Sequence, residues 1–150
     1  MSSRMVGTLG VDINRSADDI FEYLRDVHRH HEWSPKPYRV EGIEGLVEPG
    51  STFVSYGWLP GKPDNRNDVE VTAFEPGRKI EFTATQDGHK FINRFVLTPK
   101  GDSTRVDKTI DFYKPGGLMG LVGMPVVFAR LIKPATQKAM NMLKDQLEAS

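Results

Sequence analysis

The 150-residue chain contains no cysteine, which excludes a disulfide framework and any thiolate metal site and removes the usual mark of a small secreted domain. A cytoplasmic setting is therefore expected. Net charge is lacking as well: 20 Lys and Arg offset 20 Asp and Glu. Without a broad positive field to attract phosphate backbones, nucleic acid is not an expected partner. No stretch reaches the ~18 uninterrupted apolar residues that span a bilayer, and Met1 to Gly10 has no apolar run of signal-peptide length. No internal repeat, low-complexity tract or Gly/Ser-rich linker divides the chain, so residues 1–150 read as a single soluble domain. A chain this long buries roughly 70% of the surface its unfolded form exposes, enough for a core without staples.

What is present is punctuated alternation. Met5, Leu9, Val11 and Ile13 share odd positions, the period of a half-buried strand. Asn14 or Ser16 then offers a helix cap, Asp18 and Asp19 suit the first turn, and Ile20, Phe21 and Leu24 form a helical stripe. The next stretch, Asp26 to Trp33, is polar and rich in His, and Pro35 and Pro37 stop any helix there. Further strands are expected near Tyr38–Ile43, Thr52–Trp58, Arg66–Phe74, Lys79–Thr85, Phe91–Thr98 and Thr104–Phe112. The turns Glu48-Pro49-Gly50, Leu59-Pro60-Gly61, Glu75-Pro76-Gly77, Gln86-Asp87-Gly88 and Pro99-Lys100-Gly101-Asp102 separate them. From Leu118 on, Phe128, Leu131, Ala135, Ala139, Met142 and Leu143 recur at helical steps.

Alternation predicts an inner face of Val69, Val71 and Ala73; Ile80, Phe82 and Ala84; Phe91, Phe95 and Leu97; and Val106, Ile110 and Phe112. The opposite set is polar, as in a sheet solvated on one side. In the third strand Val54, Tyr56 and Trp58 compete with Phe53, and the aromatic rings favour the former set as wall residues. Asn93 and Lys108 interrupt the inner pattern. Either a bulge turns both to solvent, or each answers to a partner, a water or a ligand, because an unpaired buried amide or ammonium costs several kcal/mol by rough estimate.

Other groupings carry less. His28, His30, His31 and Glu32 form a cluster in which helical geometry would put His28, His31 and Glu32 on one face, but no HExxH accompanies them and a solvated surface is the expected reading; no metal is expected. His89 reads as a loop residue. Gly116, Gly117, Gly120 and Gly123 lack the Lys-Ser/Thr pair and parallel strand of a phosphate loop. The uncharged stretch Leu118 to Phe128, broken by Pro125, reads as buried against the sheet, with its helix-weakening residues suited to a mobile lid or a membrane-touching lip.

Val11-Asp12-Ile13, followed by Ser16-Ala17-Asp18-Asp19-Ile20-Phe21-Glu22-Tyr23-Leu24-Arg25-Asp26 and then Trp33, resembles the opening of the START-like, SRPBCC or polyketide cyclase/dehydrase superfamily. Phe74-Glu75-Pro76-Gly77-Arg78-Lys79-Ile80, Phe95-Val96-Leu97-Thr98-Pro99 and the closing Met142 to Glu148 agree with it. The resemblance implies an α+β helix-grip fold: a seven-stranded curved antiparallel sheet around a long C-terminal helix, with two short helices between strands one and two. It also implies a cavity for a hydrophobic molecule such as a lipid or polyketide, and names no reaction.

On that reading the chain is a carrier, a monomer or weak homodimer without cofactor. Trp33, Tyr56, Trp58, Phe82, Asn93, Phe95, Lys108, Phe112, Met124 and Phe128 are the expected ligand-binding lining. The alternative is an aldol cyclase or dehydratase acting on a polyketide-like substrate, with Lys108 or Tyr56 as acid or base and Asn93 orienting a carbonyl. The expected inner strand faces hold no carboxylate or His for it. A third possibility is transient contact with a membrane or another protein through the Leu118 to Phe128 lip, flanked by Lys114, Arg130 and Lys133.

Overall fold

Period-two alternation builds most of the molecule. The computed structural model describes residues 4–59, 61–114 and 116–149. Its strands are β1 (Arg4–Ile13), β2 (Arg39–Glu41), β3 (Thr52–Leu59), β4 (Lys62–Glu75), β5 (Lys79–Gln86), β6 (His89–Lys100) and β7 (Ser103–Tyr113). All neighbours pair antiparallel in one 7-stranded sheet of order β1-β7-β6-β5-β4-β3-β2. The expected turn at Leu59-Pro60-Gly61 includes Pro60, which lies outside the described residues. In the β4–β5 turn Gly77 takes φ 72°, a left-handed conformation that glycine adopts without steric cost.

Between β1 and β2 lie α1 (Ala17–Leu24) and a 3-10 helix, Val27–Trp33. Ser16 caps α1, its side chain accepting from the Asp19 amide at 3.1 Å. After β7 a helical rod runs Met119–Ala149, containing α2 (Met124–Val127) and α3 (Lys133–Ala149) with π-helical turns at Met119–Gly123 and Phe128–Ile132. Those turns sit beside Pro125 and Pro134, each of which removes a helix donor, and wider turns are a usual accommodation. The result is the curved-sheet, long-helix arrangement of the helix-grip α+β fold. Its core lies between the inner sheet face, α1 and α3, with Ile13, Ile20, Leu24, Ile80, Val106, Met140 and Leu143 fully buried.

The structure corrects two expected faces. In β3 the buried residues are Phe53 and Ser55, not the Val54, Tyr56 and Trp58 set. Tyr56 and Trp58 lie on the outer face under cations, Arg39 4.0 Å from the Tyr56 ring centre and Lys36 4.6 Å from that of Trp58. Cation–π cover lets an aromatic ring face water at little cost, so ring content does not mark the inner side. In β4 the pairing with β5 shifts between Val71 and Ala73. That irregularity reverses the parity, and Phe74 rather than Ala73 packs on the core, edge-on to Phe21 at 5.1 Å.

Candidate functional site

A cavity of about 460 Å³ lies between the inner sheet face, the 3-10 helix and α3, a volume suited to one small molecule. The sheet supplies apolar walls from Phe53, Val69, Phe82, Ala84, Phe91 and Phe95. It also supplies polar groups from Ser55, Asn65, Asn67, Gln86, Asn93 and Lys108, while α3 contributes Ala135, Thr136 and Ala139. Small residues on α3 are what leave the space, since a larger side chain at Ala139 would project into it.

The 3-10 helix delivers His30 and Trp33. Three residues per turn bring positions i and i+3 onto one line, so Val27, His30 and Trp33 turn inward together and all are buried. His30 thus leaves the solvated surface expected for its cluster. Its Nε2 lies 2.7 Å from the Leu24 carbonyl, to which it donates, and its ring lies 5.0 Å from Trp33 and 5.6 Å from Phe82. Burial pushes the His30 imidazole down to about 4, the Leu24 carbonyl opposing and the Lys108 charge reinforcing that shift. The neutral form is the resident one. His28 and His31 turn the other way, their rings engaging the backbone carbonyls of Ile43 and His28. Glu32 is held by Arg29 and by the Tyr23 hydroxyl, which donates at 2.8 Å. Among the described residues no three ligating side chains converge.

Lys108 is the cavity's cation. Continuous pairing of β6 with β7 places it opposite Phe95, two residues diagonal from Asn93 on the same face. Its Nζ lies 5.4 Å from the Phe95 ring centre and 5.6 Å from that of Trp33. Among the described residues neither Lys108 nor the Asn93 amide has a hydrogen-bond partner or counter-ion. Desolvation lowers the Lys108 ammonium to about 8. The buried Trp33 indole N–H beside it also lacks a partner. The Lys108 ammonium and the Trp33 indole N–H are thus two donors at this end of the cavity that no protein acceptor engages among the described residues.

Of the residues expected to line a ligand site, Trp33, Phe82, Asn93, Phe95 and Lys108 are brought together around this cavity. Tyr56 and Trp58 are on the opposite sheet face. Phe112, Met124 and Phe128 do not line it; Phe112 instead stacks between Phe91 at 6.4 Å and Phe128 at 6.2 Å, forming the wall toward the helical lip. Gly7 allows that closure, because a Cβ there would overlap the Phe128 ring. Sequence reasoning missed His30, Tyr38, Ser55, Asn65, Asn67, Gln86 and Thr136. For His30 a signal exists in the three-residue spacing Val27, His30, Trp33; the others are polar, and polarity by itself points outward.

Residues 6–148 match the model of a family described as polyketide cyclase / dehydrase and lipid transport. No curated protein matches the sequence significantly. Solved structures share the fold at low identity. The Zhui aromatase/cyclase from Streptomyces sp. R1128 is 17% identical with TM-score 0.75, over 97% of this chain and 94% of that one. TTHA0849 from Thermus thermophilus is 15% identical with TM-score 0.72, over 97% and 98%. Ara h 8.0201 is 14% identical with TM-score 0.67, over 98% and 99%.

Proposed function

The chain belongs to the polyketide cyclase/dehydrase and lipid transport family, and from its cavity lining we propose that it carries one small, mainly apolar molecule bearing an anionic or carbonyl oxygen. The observation that carries this reading is the unpaired Lys108 ammonium in an otherwise apolar and amide-lined cavity of about 460 Å³. A desolvated cation costs folding free energy unless something answers it. A ligand oxygen at Lys108, with the Asn93 amide two residues across, answers it, while Phe82, Phe91 and Phe95 cover the apolar body. The rest of the lining is poor in proton-transfer groups: among the described residues no carboxylate lines the cavity, and His30, with its pKa lowered to about 4 and one nitrogen committed to Leu24, is a weak base.

A matched pair of probes tests the reading: anilinonaphthalene sulfonate and its uncharged parent N-phenylnaphthylamine, which share the ring system and differ in the anion. Lys108→Met keeps the apolar stem and removes the charge. It is expected to weaken the sulfonate roughly tenfold or more, the usual worth of a hydrogen bond to a charged group, and to leave the neutral parent within about twofold. Folding should be intact or slightly improved. Trp58→Ala, on the outer face, should move neither affinity. Equal loss for both probes in Lys108→Met, or no loss for either, would remove the oxygen-recognition reading. A cyclase reading is tested separately by incubating the chain with a poly-β-ketone and following its consumption.

A further inference from the structure

The helical rod is seated on the domain mainly by its C-terminal half, where Thr136, Ala139, Met140, Leu143 and Leu147 are buried. At the other end Leu118, Met119, Leu121, Val122, Val126 and Leu131 stay in solvent, Leu118 and Leu121 at 75% exposure. Phe128, over Gly7 and against Phe112, ties this lobe to the sheet. A contiguous apolar surface of this kind marks an interaction site.

Charge says what kind. Between residues 112 and 144 the sequence holds no Asp or Glu, although the chain has 20, and it holds Lys114, Arg130, Lys133, Lys138 and Lys144. Lys144 is engaged by Glu148 and the Asp12 carbonyl. The other four are in no ion pair among the described residues. An overall neutral chain has thus segregated unneutralised positive charge onto the element that exposes its large apolar side chains. We propose that this lip docks on the surface of a bilayer containing anionic lipids, with Leu118, Leu121 and Val122 at the acyl boundary and Lys114, Arg130 and Lys133 at the headgroups.

Two other arrangements fit less well. The rod Met119–Ala149 is long and apolar enough to cross a membrane by length and composition. However, its C-terminal half is committed to the core and Arg130 and Lys133 interrupt the apolar part, so it lies on the bilayer rather than through it. A twofold dimer through the lip would set this cationic patch against its own copy, which like-charge repulsion disfavours. The docking does not depend on what fills the cavity, but it has a consequence for the carrier reading. Gln86 and Phe91 line both the cavity and a surface depression with Lys62, His89 and Tyr113, and Tyr113 ends the strand that leads into the lip. On a docked molecule the wall shared by the cavity and this depression, which also holds Asp87, therefore lies toward the lip.

Flotation with phosphatidylcholine vesicles, with and without phosphatidylglycerol, tests the proposal. The full chain is expected to float with the anionic vesicles and far less with the neutral ones. Arg130→Gln and Lys133→Gln should each lower partitioning about fivefold, and Leu121→Glu about tenfold or more. Far-UV circular dichroism and sulfonate-probe affinity in the cavity are expected to stay unchanged in all three. Failure of folded wild-type protein to float with anionic vesicles would overturn the proposal, as would flotation unaffected by all three substitutions. A dimer by sedimentation that Leu121→Glu dissolves, without flotation, would assign the lip to a second copy instead.

Discussion

Phe21→Ala is expected to lower stability by about 3–5 kcal/mol, and Phe95→Ala by distinctly less, about 2 kcal/mol. Both rings are equally shielded, each 1% exposed, so burial alone predicts equal losses. Their surroundings differ. Phe21 is on α1, edge-on to Phe74, inside the solid part of the core, and its removal opens a void where none existed. Phe95 is covered by Trp33, Phe82 and Lys108 at the edge of the cavity, so the volume its truncation frees joins an existing space that water can enter instead of becoming a sealed apolar void. Against a total of about 5–15 kcal/mol for an ordinary domain, the Phe21 variant would be marginal and the Phe95 variant comfortably folded. Urea denaturation measures both, and constant m-values would show that the unfolded reference has not changed. Equal losses would mean that the space beside Phe95 is filled by native packing in solution, and the carrier reading would lose its cavity.

What sequence reasoning reached is governed by whether strand pairing is regular. Across β6 and β7 the register runs without interruption from Phe91 opposite Phe112 to Lys100 opposite Ser103, so simple alternation places Asn93, Phe95 and Lys108 on the face that lines the cavity. In β4 a single irregularity after Val71 exchanges Ala73 for Phe74, and nothing in the composition of that strand announces it. In β3 both parities offer apolar residues. The inner one, Phe53 and Ser55, carries a hydroxyl because it faces a partly polar cavity, whereas the outer one carries rings that Arg39 and Lys36 cover. A rule that equates polar with outward fails wherever a strand lines a binding cavity. The same holds for Asn65 and Gln86, whose side-chain amides hydrogen-bond each other on the cavity wall.

The stretch Val27–Trp33 escapes sequence reasoning for a different reason: its helix type. Read at 3.6 residues per turn, His28, His31 and Glu32 share a face. Read at three, Val27, His30 and Trp33 do, and the short segment between Asp26 and the prolines is the usual setting for the tighter helix. Arg29 and Glu32, paired at 3.1 Å on the outside with the Tyr23 hydroxyl, fix which side turns out. The family resemblance locates the sheet and the last helix, but such marks describe a fold and leave the lining open.

Acidification is expected to destabilise the protein through His30. The imidazole is ordinarily near 6.5 and burial lowers it to about 4 in the folded chain. Above about pH 6.5 both folded and unfolded states are neutral at this position and it contributes no pH dependence. Between about 6.5 and about 4 the unfolded chain binds a proton that the folded chain refuses, so stability falls as pH falls. At about 1.36 kcal/mol per unit the loss over the whole window amounts to about 3 kcal/mol. Lys108 does not confuse the measurement, because its lowered value of about 8 leaves it charged in both states throughout that window. Carboxylates held low by their partners, Glu32, Glu81 and Glu148, add their own losses near the acid end, and a variant must subtract them. His30→Gln keeps an N–H for the Leu24 carbonyl and cannot titrate. Urea denaturation above and below the window is therefore expected to show wild type losing about 3 kcal/mol more than His30→Gln. Equal losses would mean that the imidazole protonates freely, which requires its ring to reach water and the three-residue alignment with Val27 and Trp33 to fail. A larger loss in wild type ties acid sensitivity to the ligand site, because the proton is refused by a wall that already holds the unpaired ammonium of Lys108.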